Sequence, residues 1–170
     1  MLLRTRYAPC GARMKGKNTM KAVIQRVTHA SVTVEDKIIG EIGQGFLVLL
    51  GVVDGDSEEE MKLLAKKTAG IRIFTDENDK MNLSLDQVDG EVLVVSQFTL
   101  CADTSHGRRP SFISSAKPDV AEDLYLKYCQ ELRNLGVKKV ATGEFGADMK
   151  VELLNDGPVT IIMDTNEWKK

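Results

Sequence analysis

Ser96-Gln97-Phe98-Thr99-Leu100 follows directly on Val92-Leu93-Val94-Val95, a run apolar enough for a strand buried on both faces. Three polar side chains at the carboxyl end of such a strand are poor core filler. A strand end that opens into a loop can offer hydroxyls and backbone N–H groups to a ligand. The plain structural alternative is that Thr99 is an ordinary strand residue and that Ser96 or Gln97 faces solvent. A second stretch, Asn155-Asp156-Gly157-Pro158-Val159-Thr160, combines hairpin turn chemistry with a proline at a strand start. A plain hairpin turn accounts for it as well, and the residues leave open whether Gly157-Pro158 is cis or trans. The third is Ser105-His106-Gly107-Arg108-Arg109-Pro110-Ser111-Phe112, basic in an otherwise acidic body and closed by an aromatic residue. Contact with phosphate suits it, and a solvated loop is the alternative.

Composition narrows the chemistry further. The 170 residues hold two histidines, His29 and His106, so a His-rich metal site is excluded and a Ser-His-Asp triad has only those two to draw on. Cys10, Cys101 and Cys129 form no CxxC pair, which argues against a zinc site or disulfide framework and fits a reducing compartment. No metal or cofactor is expected. The longest apolar run, Phe46 to Val53, suits a buried strand and falls far short of the ~20 residues of a membrane span. The net charge of −2 is unevenly spread: Arg4, Arg6, Arg13, Lys15 and Lys17 lie in an acid-free opening, and the rest of the chain has 18 basic against 25 acidic residues. A body of that sign can bind nucleic acid only through a local basic patch.

The elements that must position these residues read as follows. Residues 1–19 have no periodicity and lack the apolar centre of a secretory signal. They share an Arg-rich, acid-free character with transit peptides, but a disordered basic extension or an upstream start describes them better. One domain then spans 20–165, and 166–170 is a tail. Met20 to Val34 predicts a long strand with a bulge near His29, Glu35-Asp36-Lys37 a turn, Ile38 to Ile42 and Phe46 to Val53 two further strands. Ser57 with Glu60 is a capping box for a helix whose apolar face is Met61, Leu64, Ala65 and Thr68, with Gly70 at its C′ position. Ile71 to Phe74 and Glu91 to Leu100 are strands, with a polar turn at Asp76 to Asp79 and a long loop over 101–118. Asp119 and Glu122 form a second capping pattern for a helix with Leu124, Tyr128, Leu132 and Leu135 on its apolar face. Val137 to Ala141, Met149 to Asn155 and Val159 to Met163 complete the strands, the last two joined by a hairpin at Asn155-Asp156-Gly157. The expected fold is α/β: one domain with mixed, mostly antiparallel, barrel-like sheet layers and two main helices packed on one side.

Ser96 to Leu100 resembles the SQFTL signature of the D-aminoacyl-tRNA deacylase family, and Asn155 to Thr160 resembles its NDGPVT signature at a similar spacing. Arg109-Pro110-Ser111-Phe112 and the opening Met20 to Val27 are also similar to family elements, so the resemblance runs from Met20 to about Asp164. Residues 1–19 have no family counterpart, and Cys101 stands where the family has an aromatic residue. The resemblance implies a cytoplasmic homodimer that hydrolyses the ester of D-aminoacyl-tRNA, and of glycyl-tRNA mischarged on tRNA-Ala. It implies an oxyanion hole at the backbone of Phe98 and Thr99, shaped by Ser96 and Gln97. It also implies a cis Gly157-Pro158 pair that enters the partner subunit's site, where the two carbonyl oxygens hold the substrate ammonium and repel an L side chain. Arg26 would support that pair, Phe112 would contact substrate, and Arg108 and Arg109 would meet tRNA phosphates. Two modes of attack stay open: Thr99 as nucleophile, for which the only candidate base is His106, or a water oriented by backbone and the ribose 2′-hydroxyl. Two rivals remain, a non-enzymatic nucleic-acid-binding module that uses the basic arm, and a related deacylase acting on L-alanyl-tRNA mispairs.

Overall fold

The computed structural model describes residues 19–168, so the basic extension lies almost wholly outside the described residues. Strand β1 (Lys21–Val34) is the spine. Ala22 and Ile24 in its first half are buried in one core and Val27, Ala30 and Val32 in its second half in another, and both its edges are paired. Over its first half it lies between β3 (Gly45–Gly51) and β8 (Lys150–Asp164), and over its second half between β2 (Lys37–Ile42) and β8. Strand β3 continues in parallel to β6 (Glu91–Ser96), and β6 in parallel to β7 (Val140–Thr142). The order β2-β1-β3-β6-β7, with β8 against β1, is a mixed sheet that curls almost closed. At the closure β2 comes back on β7, so near that a Cβ at Gly40 would stand 2.5 Å from the Thr142 carbonyl oxygen.

Two cores result. Val27, Val32, Ile42, Leu47, Leu93 and Val95 fill the inside of the curl. Phe46, Val48, Leu50, Val92 and Val94 face the other way, onto helices α1 (Glu58–Gly70) and α2 (Pro118–Asn134). Both helices therefore lie on one side, as the sequence predicts. Tyr128, wholly buried between them, donates to Thr68 Oγ1 at 2.8 Å, and Thr68 in turn donates to the Leu64 carbonyl at 2.9 Å. Burial raises the Tyr128 hydroxyl well above its ordinary pKa. Lys127 bridges Glu58 of α1 and Asp123 of α2, an exposed pairing of small energetic weight.

The capping box at α1 forms as expected: Ser57 N donates to Glu60 Oε2 at 2.8 Å and the Ser57 side chain caps the first turn. Other expectations move. Gly70 is the last residue of α1 and Ile71 its cap, and β3 ends at Gly51. The strand expected over Ile71 to Phe74 is only Phe74–Thr75 (β4), paired with Met81–Leu83 (β5), which the sequence did not signal. Helix α2 begins on Pro118 after Lys117, without a side-chain cap, so Asp119 lies in the first turn and the Asp119–Glu122 capping box does not form. Proline at the first helical position has a suitable φ and no N–H to satisfy, which starts the helix earlier than a capping acid would. The strand expected over Val137 to Ala141 is Val140–Thr142. The largest change is at the end. No hairpin forms at Asn155-Asp156-Gly157, because the strand expected from Met149 starts at Lys150, and Lys150–Asn155 and Val159–Met163 are both part of β8 and run in the same direction along β1. Beyond it, Thr165–Trp168 forms a 3-10 turn, and Trp168, in the expected tail, packs on the helix-side core. Among the described residues no helix is long and apolar enough to cross a membrane.

Tyr128→Phe and Ser57→Ala should each lower stability by about 1 kcal/mol, read as a Tm drop of roughly 2–4 °C in calorimetry. A Tyr128→Phe protein as stable as the unaltered one would show that the Tyr128–Thr68–Leu64 chain contributes nothing net.

Candidate functional site

Strand β6 stops at Ser96, four residues before the sequence suggests, because its partner β3 ends. Ser96 pairs with Leu50, and Gln97 N donates to Leu50 O at 2.8 Å. The chain then closes into a 3-10 turn over Phe98–Cys101, folded down on Gly51. A Cβ at Gly51 would lie 2.9 Å from Leu100 Cβ and 3.2 Å from Gln97 O, so only glycine lets the turn sit there. The first donor inside the turn is Leu100 N, bonded to Gln97 O at 3.2 Å. The N–H groups of Phe98 and Thr99 come ahead of it, where a helical turn has no acceptor of its own.

Beside this turn opens a cleft of about 530 Å³. Ser96, Gln97 and Phe98 form one wall, Phe145 and Met149 another, and Leu50, Val95 and Ala116 line the interior. Among the described residues Asp148 is the sole titratable group in the lining, and Lys150 Nζ holds its Oδ1 at 2.8 Å. Thr99 is exposed, and its hydroxyl is bonded to the Gln97 amide. His106 is not brought to Thr99: it sits in the exposed loop with its Nδ1 2.7 Å from Ser105 Oγ. Cys101, the last residue of the turn, is buried with Sγ 3.4 Å from the Val52 carbonyl oxygen, and burial raises its thiol pKa. That holds it in the unreactive thiol form.

Phe112 meets Phe98 edge to face, ring centroids 5.0 Å apart and planes at 66°, on the rim of the cleft. Arg108 and Arg109 are exposed in the loop that Asp103 and Ser111 close with a mutual pair of backbone hydrogen bonds at 2.8 and 2.9 Å. The Ser105 hydroxyl and N–H both donate to Asp103 and hold its carboxyl below the usual pKa range. Phe145, Ala116 and Met149 are among the lining residues that sequence reasoning missed. Gly143-Glu144-Phe145-Gly146, an aromatic between two glycines, was the signal that could have marked the second wall.

Arg26, Gly157 and Pro158 gather elsewhere. Arg26 is 7% exposed, and a guanidinium so placed must find acceptors. Its Nε donates to Asp156 O at 2.9 Å and its Nη1 to Ile73 O at 2.7 Å, with Asp156 Oδ2 3.4 Å away. It thereby joins β8 to the start of the β4–β5 hairpin. Gln25 pairs with Thr160 and Val27 with Asn155, so two steps along β1 face five along β8 and the surplus is pushed out as a bulge. Gly157-Pro158, joined by a cis peptide, lies exposed on it. A second, smaller irregularity at Thr28, between Val27 and His29, is the bulge that the sequence suggests near His29. Ser96 lies in the row of Leu50, Ala22 and Met163, whereas the bulge lies three strands across and toward the other strand end. At ~4.8 Å per strand and ~3.3 Å per residue, Gly157-Pro158 is on the order of 20 Å from the turn of its own chain.

Residues 23–164 match the family model described as D-Tyr-tRNA(Tyr) deacylase. The chain is 58% identical over 148 residues to a D-aminoacyl-tRNA deacylase of Fusobacterium nucleatum subsp. nucleatum, covering 87% of this chain and 97% of that protein. It is 59% identical over 146 residues to a D-aminoacyl-tRNA deacylase of Roseiflexus sp. (strain RS-1), covering 86% and 94%. Among solved structures it is similar to one described as a c-Myc DNA unwinding element binding protein, with TM-score 0.80, 40% identity and coverage of 84% of this chain and 97% of that one.

Arg26→Lys should destabilise the protein by roughly 2–3 kcal/mol, because one ammonium cannot reach carbonyls on two different elements as the guanidinium fork does. Urea unfolding that matches the unaltered chain would show that Arg26 does not anchor the bulge.

Proposed function

The chain belongs to the D-Tyr-tRNA(Tyr) deacylase family, and from that premise we propose that it hydrolyses the ester of D-aminoacyl-tRNA, and of glycyl-tRNA mischarged on tRNA-Ala, while sparing L-aminoacyl-tRNA. The observation that carries the proposal is the 3-10 turn after β6, whose Phe98 and Thr99 N–H groups precede its first internal hydrogen bond beside the cleft. Ester hydrolysis passes through a tetrahedral oxyanion. Fixed donors aimed at that oxygen stabilise it, each typically contributing about 10²–10³ in rate. Ser96 and Gln97 shape the wall, and Gln97 holds the Thr99 hydroxyl.

Attack falls to water rather than to Thr99. A threonine hydroxyl needs a base beside it, and the neighbour of Thr99 is an amide while His106 is in another part of the loop. In the proposal the ribose 2′-hydroxyl and the backbone orient the water. The bulge of β8 supplies chirality. Gly157 and Pro158 are exposed and some 20 Å by strand spacing from their own turn, so they act in the cleft of a partner subunit, and a homodimer is the working unit. There their carbonyl oxygens hold the substrate ammonium and collide with an L side chain, and rejection by clash discriminates more strongly than a missing contact. Arg108 and Arg109 meet acceptor-stem phosphates, and Phe112 with Phe98 meets the end of the substrate. Residues 20–165 carry all of this. The cytoplasm, where charged tRNA resides, is the place of action.

The likeness to a DNA unwinding element binding protein supports a second reading, a nucleic-acid-binding role that draws on the basic arm. Removing residues 1–19 separates the two: deacylation by residues 20–170 equal to the full chain supports the enzyme, whereas DNA binding lost without any esterase activity to lose supports the other.

Purified protein should cleave D-Tyr-tRNA and leave L-Tyr-tRNA intact, with Thr99→Ala retaining activity within about tenfold. A fall of Thr99→Ala by more than about 10³ would make Thr99 the nucleophile. Arg108→Ala and Arg109→Ala should each raise KM and reduce the log–log salt dependence by about one. An unchanged slope would place the phosphates elsewhere.

A further inference from the structure

Asn155 is half-buried at the foot of the bulge that carries Gly157 and Pro158. Its side-chain amide spans the base of that bulge. Oδ1 accepts from Val159 N at 3.0 Å, and Nδ2 donates to Val159 O at 3.0 Å. One planar group thus satisfies both backbone polar atoms of the residue that closes the bulge. The same Nδ2 lies 3.4 Å from the Arg26 carbonyl oxygen, which ties the arrangement to β1. Val159 is buried, whereas Gly157 and Pro158 project into solvent, so the feet are fixed and the tip stands clear. Arg26 grips the bulge only at Asp156, ahead of the glycine. The far foot is held by Asn155.

We propose that Asn155 is a positioning residue that sets the chiral selectivity of the enzyme by fixing where the Gly157 and Pro158 carbonyl oxygens stand. This rests on the function proposed above, in which those oxygens enter the partner's cleft. Selection by clash is unusually sensitive to position, since an obstacle displaced by about 1 Å changes reactivity by as much as ~10². Each neutral hydrogen bond shifts a local equilibrium by roughly two- to tenfold, so the pair holds other arrangements of the bulge down by up to about two orders of magnitude. Losing both would loosen the obstacle while leaving the β6 turn, the donors and the cleft untouched. The consequence is specific: the L ester gains reactivity, and a glycyl ester, which has no side chain to exclude, changes little.

The test compares Asn155→Ala and Asn155→Asp with the unaltered full-length protein on D-Tyr-tRNA, L-Tyr-tRNA and glycyl-tRNA, each variant first checked for dimeric mass and cooperative unfolding. Asn155→Asp keeps the shape and the acceptor but turns a carboxylate oxygen toward the Val159 carbonyl, and so serves even where the alanine variant is too unstable. We expect the D-to-L rate ratio to fall at least tenfold in Asn155→Ala through faster L cleavage, and less in Asn155→Asp, with glycyl-tRNA hydrolysis within about threefold of normal. A ratio unchanged in folded variants, or a parallel loss on all three substrates, overturns the assignment of selectivity to Asn155. Failure of the unaltered protein to cleave D-Tyr-tRNA would instead end the deacylase proposal itself, and a changed D-to-L ratio cannot be confused with it.

Discussion

A strand paired along both edges for most of its fourteen residues constrains everything else in this molecule. Because β1 is longer than β2 or β3, it must hand its outer edge from β3 to β2 partway along, and the sheet bends at the handover. The bend creates two cores in place of one. The inner core is lined by residues such as Val27 and Val32, and the outer core, with Ala22 and Ile24, is capped by α1 and α2. Strand β8 runs the full length of β1, and any mismatch in register between two strands so firmly paired can be relieved only by pushing residues outward. The three surplus residues of β8 opposite Arg26 are that relief, and they carry Gly157 and Pro158 into solvent.

The polar groups around the bulge follow from burial. A guanidinium at 7% exposure cannot stay unbonded, so Arg26 collects the carbonyls of Ile73 and Asp156 and joins three elements that are distant in sequence. Asn155 does the equivalent for Val159, whose backbone groups have lost their ladder partners at the bulge. Rigidity here costs little, because each bond satisfies a group that burial would otherwise penalise. A projecting backbone fixed this firmly suits recognition by exclusion, in which an obstacle must not yield.

The other end of the sheet is built on the opposite principle. The cleft beside the β6 turn is largely apolar and nearly free of titratable groups, so its polarity comes from backbone N–H groups and a few neutral side chains. In the proposed function such a site takes its acid–base chemistry from substrate and water and supplies placement. The β6 turn and the β8 bulge stand on the order of 20 Å apart by strand spacing within a chain, and in the proposed function a second copy of the chain brings them together.

Much of this was legible in the residues. The helices announced themselves through period and through the Ser57–Glu60 capping box, which forms as written because capping is local. The buried run before Ser96, the turn at Glu35-Asp36 and the bulge near His29 were equally readable, and Ser96–Leu100 and Asn155–Thr160 stood out by residue type, although an ordinary strand end and a plain hairpin account for those residues as well. What the residues could not disclose depends on partners far away in sequence. Asn155-Asp156-Gly157 has every local mark of a hairpin, yet β1 is long enough to pair with both arms, and tertiary pairing overrides the turn. The β6 strand stops at Ser96 because β3 stops at Gly51, not because of anything in Gln97-Phe98-Thr99 itself. Phe145 and Met149 join the cleft only when the 143–149 loop folds beside β6. Local propensity, capping and composition are properties of neighbouring residues and are determined by the sequence alone. Register, strand length and the meeting of walls are long-range pairings that only the closed sheet decides.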